Sequence, residues 1–125
     1  MGYTKRIYEN CLCVEFRLRG IEYAQQERHR VMYKGEVVGE YVPDLVVQKE
    51  LIVDIKTIER ISDHERGQML NYLRITGLQV GLILNFKYAR LEWERIVLTK
   101  EPRMDANERE SKARAVNFLV LPERP

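Results

Sequence analysis

Two segments of this chain have apolar residues at helical spacing, and they predict two helices separated by extended segments. In residues 4–19 apolar side chains recur every three or four positions before Gly20, which is typical of an amphipathic helix. A second segment, residues 61–77, begins with Ser62 and Glu65 at the spacing of a capping box and closes at a glycine. We therefore predict one helix in each segment.

The rest of the chain favours strands. "YAQQERHRVMYKGEVVGEYVPDLVV" is extended with a turn at Lys34-Gly35, and "LIVDIK" follows as the second half of a hairpin. "LQVGLILNF" has the continuous apolar character of a buried strand, and "LEWERIVLT" alternates. The predicted order is helix, three strands, helix, two strands and tail. It indicates an α/β domain over residues 1–100, with a central mixed sheet flanked by helices. Residues 101–125 form a charged extension in which 107–116 could be a short helix.

The hairpin carries charged residues at positions that folding alone does not explain. If residues 48–50 form its loop, Leu45 faces Val53 and Asp44 faces Asp54. Directly opposed Cβ atoms lie roughly 4.5–5.5 Å apart, and two carboxylates at that distance repel unless a cation or a proton lies between them. Lys56 shares the face of Asp54 because strand side chains repeat with period two. One face of the hairpin is therefore core, and the other holds two acids and an ammonium group.

Two explanations of this acidic face are open. Asp44 after Pro43 could be a turn residue, with Asp54 and Lys56 forming a solvated ion pair. Val46 and Ile52 lie on the same face, however, so the acids are expected to be partly covered. A divalent cation explains half-buried acids that meet each other better than chance does. Oxygen ligands of this kind suit Mg²⁺ or Mn²⁺.

Composition narrows the class of protein. The chain has 125 residues, of which 45% are hydrophobic and 32% charged, the balance of one folded domain rather than of a disordered chain. A net charge of +2 gives no overall signal for nucleic-acid binding, so any basic surface must be local. No long apolar run and no leader pattern is present, so we expect a soluble cytoplasmic protein without membrane contact. The apolar ends of the chain are compatible with a homodimer.

The hairpin and second helix together resemble a known group of nucleases. The PD-(D/E)xK signature of restriction-endonuclease-like nucleases is matched by Pro43, Asp44, Asp54, Ile55 and Lys56. "GQMLNYL" supplies Gln68 and Tyr72, similar to the QxxxY element of RecB-type exonucleases. Four longer stretches between residues 2 and 98, among them "GYTKRIYENCLCVEFRLRGI", look like the GxxExxY protein family of that superfamily.

The resemblance implies a restriction-endonuclease-like core and a metal-dependent nuclease, with DNA as the expected substrate. Asp44, Asp54 and the carbonyl of Ile55 would bind Mg²⁺ or Mn²⁺, which lowers the pKa of a water molecule and neutralises charge on the phosphate. Lys56 would orient that water or stabilise charge on phosphorus. Gln68 and Tyr72 would contact the substrate backbone or the water. Taken singly, Gln68 is better explained as a helix-surface amide and Tyr72 as a core aromatic; taken together beside the acidic hairpin, functional roles explain them at least as well.

One position departs from the family pattern. Lysine stands at position 5, where the motif that begins at Gly2 and ends at Tyr8 has a glutamate that in related nucleases helps to bind the metal. Glu9, one helical turn after Lys5, could replace the lost ligand or pair with Lys5, and we favour the ion pair. The alternative to an active nuclease is therefore a nucleic-acid-binding module of the same fold with impaired catalysis. In that alternative, Lys5 could take the cation position and neutralise the acids.

Overall fold

Residues 4–99 are described by the structure, a computed structural model. This part of the chain contains two helices and seven strands. In chain order they are α1 (Lys5–Leu18), β1 (Tyr23–Gln25), β2 (His29–Tyr33), β3 (Glu36–Tyr41), β4 (Leu45–Val47), β5 (Leu51–Lys56), α2 (Asp63–Thr76), β6 (Val80–Asn85) and β7 (Glu92–Val97).

Five of the strands form one mixed sheet in the order β1-β4-β5-β6-β7. β5 and β6 run parallel, and the other neighbouring pairs are antiparallel. Parallel neighbours need a crossover connection, and α2 supplies it. All six residues of β6 are buried, as expected of a parallel strand covered on both faces. The predicted central mixed sheet flanked by helices is confirmed.

The two helices end where their sequence signals predict. The N–H of Ser62 donates to the Glu65 carboxylate at 2.8 Å, so the capping box at the start of α2 is formed. Gly77 closes α2 in the left-handed conformation, with φ at 78°, and Gly20 follows α1 with φ at 68°. Glycine has no Cβ to clash in this region, which makes it a favourable residue after a helix. No helix within residues 4–99 is long and apolar enough to span a membrane.

Each face of the sheet has its own hydrophobic core, and α1 and α2 cover opposite faces. The core beneath α1 includes Cys13 and Phe16 of the helix and, from the hairpin, Leu45, Val47, Leu51, Val53 and Ile55. The core beneath α2 consists of Ile52, Ile61, Met69, Leu73 and Ile83. The hairpin residues therefore divide between the two faces as the period of two predicts. Both faces of the central strand β5 are buried up to Val53, so its polar residues, Asp54 and Lys56, lie toward its end.

β2 and β3 form a separate two-stranded hairpin outside the main sheet. Its turn at Lys34 and Gly35 has φ values of 50° and 81°, as in the tight turns that suit the twist of paired strands. The turn predicted there is confirmed, but the prediction of three strands between the helices is wrong, because five are present. Gln26 is in the left-handed conformation, with φ at 56°, and ends β1. Pro43, which lacks an N–H, separates β3 from β4, so the extended stretch divides into separate strands.

The predicted boundary at residue 100 and the short helix at 107–116 concern residues outside the described range. They stay predictions.

Candidate active site

The acidic site is built on the β4–β5 hairpin. Its register is Leu45 opposite Val53 and Val47 opposite Leu51, as the sequence predicted. The loop of residues 48–50 is also confirmed, and Gln48 in it takes a left-handed φ of 54°. This register places Asp44, just before β4, against the end of β5, where Asp54 lies.

Asp44 is buried and fixed in position by the backbone. Its side chain is 8% exposed, and its Oδ2 accepts a hydrogen bond of 2.8 Å from the N–H of Ile55. Burial by itself raises the pKa of Asp44, but the bonds from Ile55 and from the side chains of Asp54 and Lys5 hold that pKa below its ordinary value. Asp44 is therefore ionised at neutral pH and is not a simple turn residue.

Asp54 shares the buried edge with Asp44 and titrates differently. Burial of its side chain raises the pKa of Asp54 to about 6, against the opposing effect of Lys56. The carboxyl group of Asp44 contributes to the increase through its charge and through a hydrogen bond between the two side chains. Lys56 Nζ lies 3.3 Å from Asp54 Oδ2. The two acids therefore meet, and they retain a shared proton to a higher pH than an isolated aspartate would.

Lys5 of α1 contacts Asp44, and here the sequence-based expectation is wrong. The predicted ion pair between Lys5 and Glu9 is not formed, and Lys5 Nζ instead lies 3.0 Å from Asp44 Oδ1. Lys5 and Glu9 are one helical turn apart, which allows an ion pair but does not require one. The Glu9 carboxylate is buried and already accepts hydrogen bonds from two glutamine amides, whereas Asp44 Oδ1 is open to Lys5.

Glu9 points into the protein and is held by glutamine amides. Its side chain is fully buried, and it accepts hydrogen bonds from Gln25 Nε2 at 2.8 Å and from Gln26 Nε2 at 3.0 Å. Gln26 Nε2 also lies 3.4 Å from Asp44 Oδ1, so one amide connects the two carboxylates. Sequence reasoning missed both glutamines. The pair of glutamines at the end of β1 was the available signal, but the left-handed turn that directs Gln26 inward is a tertiary feature.

Tyr72 of α2 lies within electrostatic range of the acidic pair and stacks on a second aromatic residue. Burial raises the pKa of Tyr72, and the charge of Asp54 adds to the effect. Its ring stacks on Tyr41 at the end of β3, with 4.0 Å between centroids and 16° between planes. Burial followed by the charge of Asp54 also raises the pKa of Tyr41. Sequence reasoning missed Tyr41, because nothing in its local pattern connects β3 to α2.

Gln68 is not joined to this group. Its side chain is half-buried one turn before Tyr72, and within residues 4–99 it makes no hydrogen bond. The structure therefore brings together Asp44, Asp54, Lys56 and Tyr72, and adds Lys5. The catalytic roles of all five predicted residues stay predictions.

The donor atoms of the site fit a hard divalent cation. In the described residues, no group of three or more aspartate, glutamate, histidine or cysteine side chains is arranged to hold a metal ion without rearrangement. Asp44 and Asp54 nevertheless offer carboxylate oxygens at one buried edge, where burial, with Asp44 alongside, raises the pKa of Asp54. One or two carboxylates of this kind, together with water molecules, are the ligands that Mg²⁺ and Mn²⁺ suit. The carbonyl of Ile55 and the carboxylate of Glu9 stay predicted further ligands.

Comparison with known proteins assigns the family. A family model for the PD-(D/E)XK nuclease superfamily matches residues 1–96. The chain belongs to that superfamily. A search among curated proteins found no significant match.

Solved structures of low sequence identity share the fold of this superfamily member. The protein SSO0001 matches with a TM-score of 0.59 at 15% identity, over 90% of this chain and 57% of its own. An alkaline exonuclease from Laribacter hongkongensis, LHK-Exo, matches with a TM-score of 0.54 at 15% identity, over 91% of this chain and 63% of its own. The chain thus spans about three fifths of the length of these neighbours. The predicted restriction-endonuclease-like core is confirmed, whereas the GxxExxY assignment stays a prediction.

Proposed function

We propose that this protein is a metal-dependent nuclease that hydrolyses phosphodiester bonds in DNA. The observation that carries the proposal is the convergence of Asp44, Asp54 and Lys56 at one buried edge of the sheet, in a chain that belongs to a nuclease superfamily. The structural likeness to an alkaline exonuclease is consistent with it. We also propose membership of the GxxExxY family, and a cytoplasmic location and a homodimer stay predictions.

In this proposal Asp44, Asp54 and the Ile55 carbonyl hold Mg²⁺ or Mn²⁺, with Glu9 as a further candidate. The ion would supply Lewis acidity toward the phosphate and a lowered pKa for the attacking water. The protein's part is to keep the carboxylates in place, and the Ile55 N–H does so for Asp44 at 2.8 Å.

Lys56 and Tyr72 act on the reacting groups themselves. Lys56 is 22% exposed at its side chain, so its ammonium group can reach solvent and substrate while it stays beside Asp54. There it would orient the water and stabilise negative charge that develops on the phosphate. Tyr72 is protonated at neutral pH, as any tyrosine with a pKa of 10.0 or above is, and it can donate a hydrogen bond to a phosphate oxygen. Gln68 would contact the substrate backbone from the preceding turn.

The test combines binding and cleavage. Mn²⁺ binding is measured by calorimetry on the unaltered chain and on Asp54→Ala, and we expect the variant to lose it. Cleavage of labelled DNA and RNA is then followed with Mg²⁺ or Mn²⁺ and with a chelator. Lys56→Met should bind the metal but lose roughly a hundredfold or more in rate. Lys87→Met, which removes an exposed lysine of the β6–β7 connection, is the matched control.

A nucleic-acid-binding module with impaired catalysis is the second candidate. The contact between Lys5 and Asp44 favours it, because an ammonium group on that carboxylate opposes a metal ion there. This candidate predicts that the chain binds DNA equally well with and without a chelator and cleaves neither DNA nor RNA. Metal-dependent cleavage that Lys56→Met abolishes would exclude it.

A further inference from the structure

Lys5 lies on the Asp44 carboxylate where a metal ion would have to bind. Its Nζ is 3.0 Å from Asp44 Oδ1. We propose that Lys5 is a built-in competitor for the metal: it neutralises Asp44 in the metal-free protein, and a divalent cation must displace it. This inference rests on the proposed metal-dependent function and concerns how that site is regulated.

The contacts of Asp44 leave Lys5 as the partner that can move. Asp44 Oδ2 is committed to a backbone N–H, that of Ile55, inside the sheet. Asp44 Oδ1 receives Lys5 at 3.0 Å and Gln26 at 3.4 Å. Gln26 is also tied to Glu9, so its amide is held from two sides. The Lys5 side chain is 45% exposed and starts at the first residue of α1, so it can turn toward solvent without a backbone shift.

The Lys5 ammonium group and a divalent cation cannot both bind Asp44 Oδ1, because both are positively charged. An ammonium group and a divalent cation on one carboxylate oxygen would repel each other at short range. Lys56 contacts the other carboxylate, at Asp54 Oδ2, and that contact is the same in the unaltered chain and in Lys5→Met. The apparent affinity for the metal is therefore reduced by the fraction of molecules in which Lys5 lies on Asp44. Removing the Lys5 charge should restore the intrinsic affinity.

Calorimetry with Mn²⁺ on three proteins tests this. Lys5→Met should bind Mn²⁺ about tenfold or more tightly than the unaltered chain, because it no longer has to displace an ion pair. Arg6→Met is the matched control: it removes the same charge from the next position of α1, where the arginine is exposed and makes no hydrogen bond or ion pair within residues 4–99. Its affinity should stay within about twofold, because solvent screens an exposed charge.

Thermal unfolding gives a readout that is independent of catalysis. With a chelator, Lys5→Met should melt below the unaltered chain because Asp44 has lost its counter-ion. With saturating Mn²⁺ the difference should disappear, since the metal-bound state of either protein lacks the pair between Lys5 and Asp44. A purely structural role of Lys5 would lower the melting temperature in both conditions.

The outcomes separate this inference from the proposed function. Equal Mn²⁺ affinity of the unaltered chain and Lys5→Met, or weaker binding by the variant, overturns the competitor role and leaves the metal site standing if Asp54→Ala abolishes binding. Absence of Mn²⁺ binding from both proteins overturns the metal site and the competitor role together. Binding by Lys5→Met alone supports the inference in its strongest form.

Discussion

Replacing Asp54 by asparagine should make the protein more stable while it destroys the proposed metal site. An asparagine at this position would keep the shape of the side chain, and its amide can donate to Asp44 as the protonated Asp54 does. What the substitution removes is a buried negative charge beside a second carboxylate. The variant therefore tests whether Asp54 is kept ionisable at a cost in stability.

The magnitude follows from the pKa. The pKa of Asp54 rises from an ordinary 3.8 to about 6. A carboxyl group with this increase lowers the free energy of unfolding by up to about 3 kcal/mol once it is ionised. Loss of the contact with Lys56 offsets part of the gain, so we expect Asp54→Asn to be more stable by roughly 1–3 kcal/mol at pH 8. The folded protein binds the Asp54 proton more tightly than the unfolded chain does. The free energy of unfolding of the unaltered protein therefore falls as pH rises from about 4 to about 6.

Urea unfolding with a chelator at pH 8 and at pH 4 measures the effect. The difference between the unaltered chain and Asp54→Asn should be large at pH 8 and close to zero at pH 4. Asp63→Asn is the control, because this fully exposed aspartate pairs only with Arg66 in the described residues and its loss should change stability little at either pH. Equal or lower stability of Asp54→Asn at pH 8 would refute the reasoning, since it would mean that neighbouring groups fully compensate the charge.

Three further outcomes are expected. Mn²⁺ affinity should fall about tenfold per pH unit below pH 6, because the proton on Asp54 competes with the metal; unchanged affinity in calorimetry at pH 7 and pH 5 would contradict this. Tyr41→Ala should lower the free energy of unfolding in urea by roughly 1–3 kcal/mol and slow cleavage, since Tyr72 loses the ring against which it stacks. Tyr41→Phe keeps the ring and should retain the stability and the cleavage rate of the unaltered chain. Equal losses in the two variants would assign the effect to the hydroxyl. Gly81→Ala should cost roughly 1–3 kcal/mol, because its Cβ would overlap the buried Met69 side chain; unaltered stability would show that Met69 moves aside.

The sequence by itself determined the local elements and the pairing of one hairpin. Capping signals and glycines act over a few residues, so both helices and the turn at Lys34 could be predicted from short segments. The loop at residues 48–50 and the period of two together fixed which residues face each other, which placed Asp44 near Asp54 and Lys56 on the same face.

Tertiary structure decided which distant groups complete the site. The choice of Asp44 over Glu9 as the partner of Lys5 depends on how α1 packs against the sheet, and helical spacing alone cannot show it. The contact of Gln26 with Glu9 needs a left-handed residue at the end of β1, and the stack of Tyr41 on Tyr72 needs β3 to lie beside α2. Local patterns report the periodicity of single elements, whereas these contacts join residues 17 to 39 positions apart. Their energies arise only when the elements pack and exclude water.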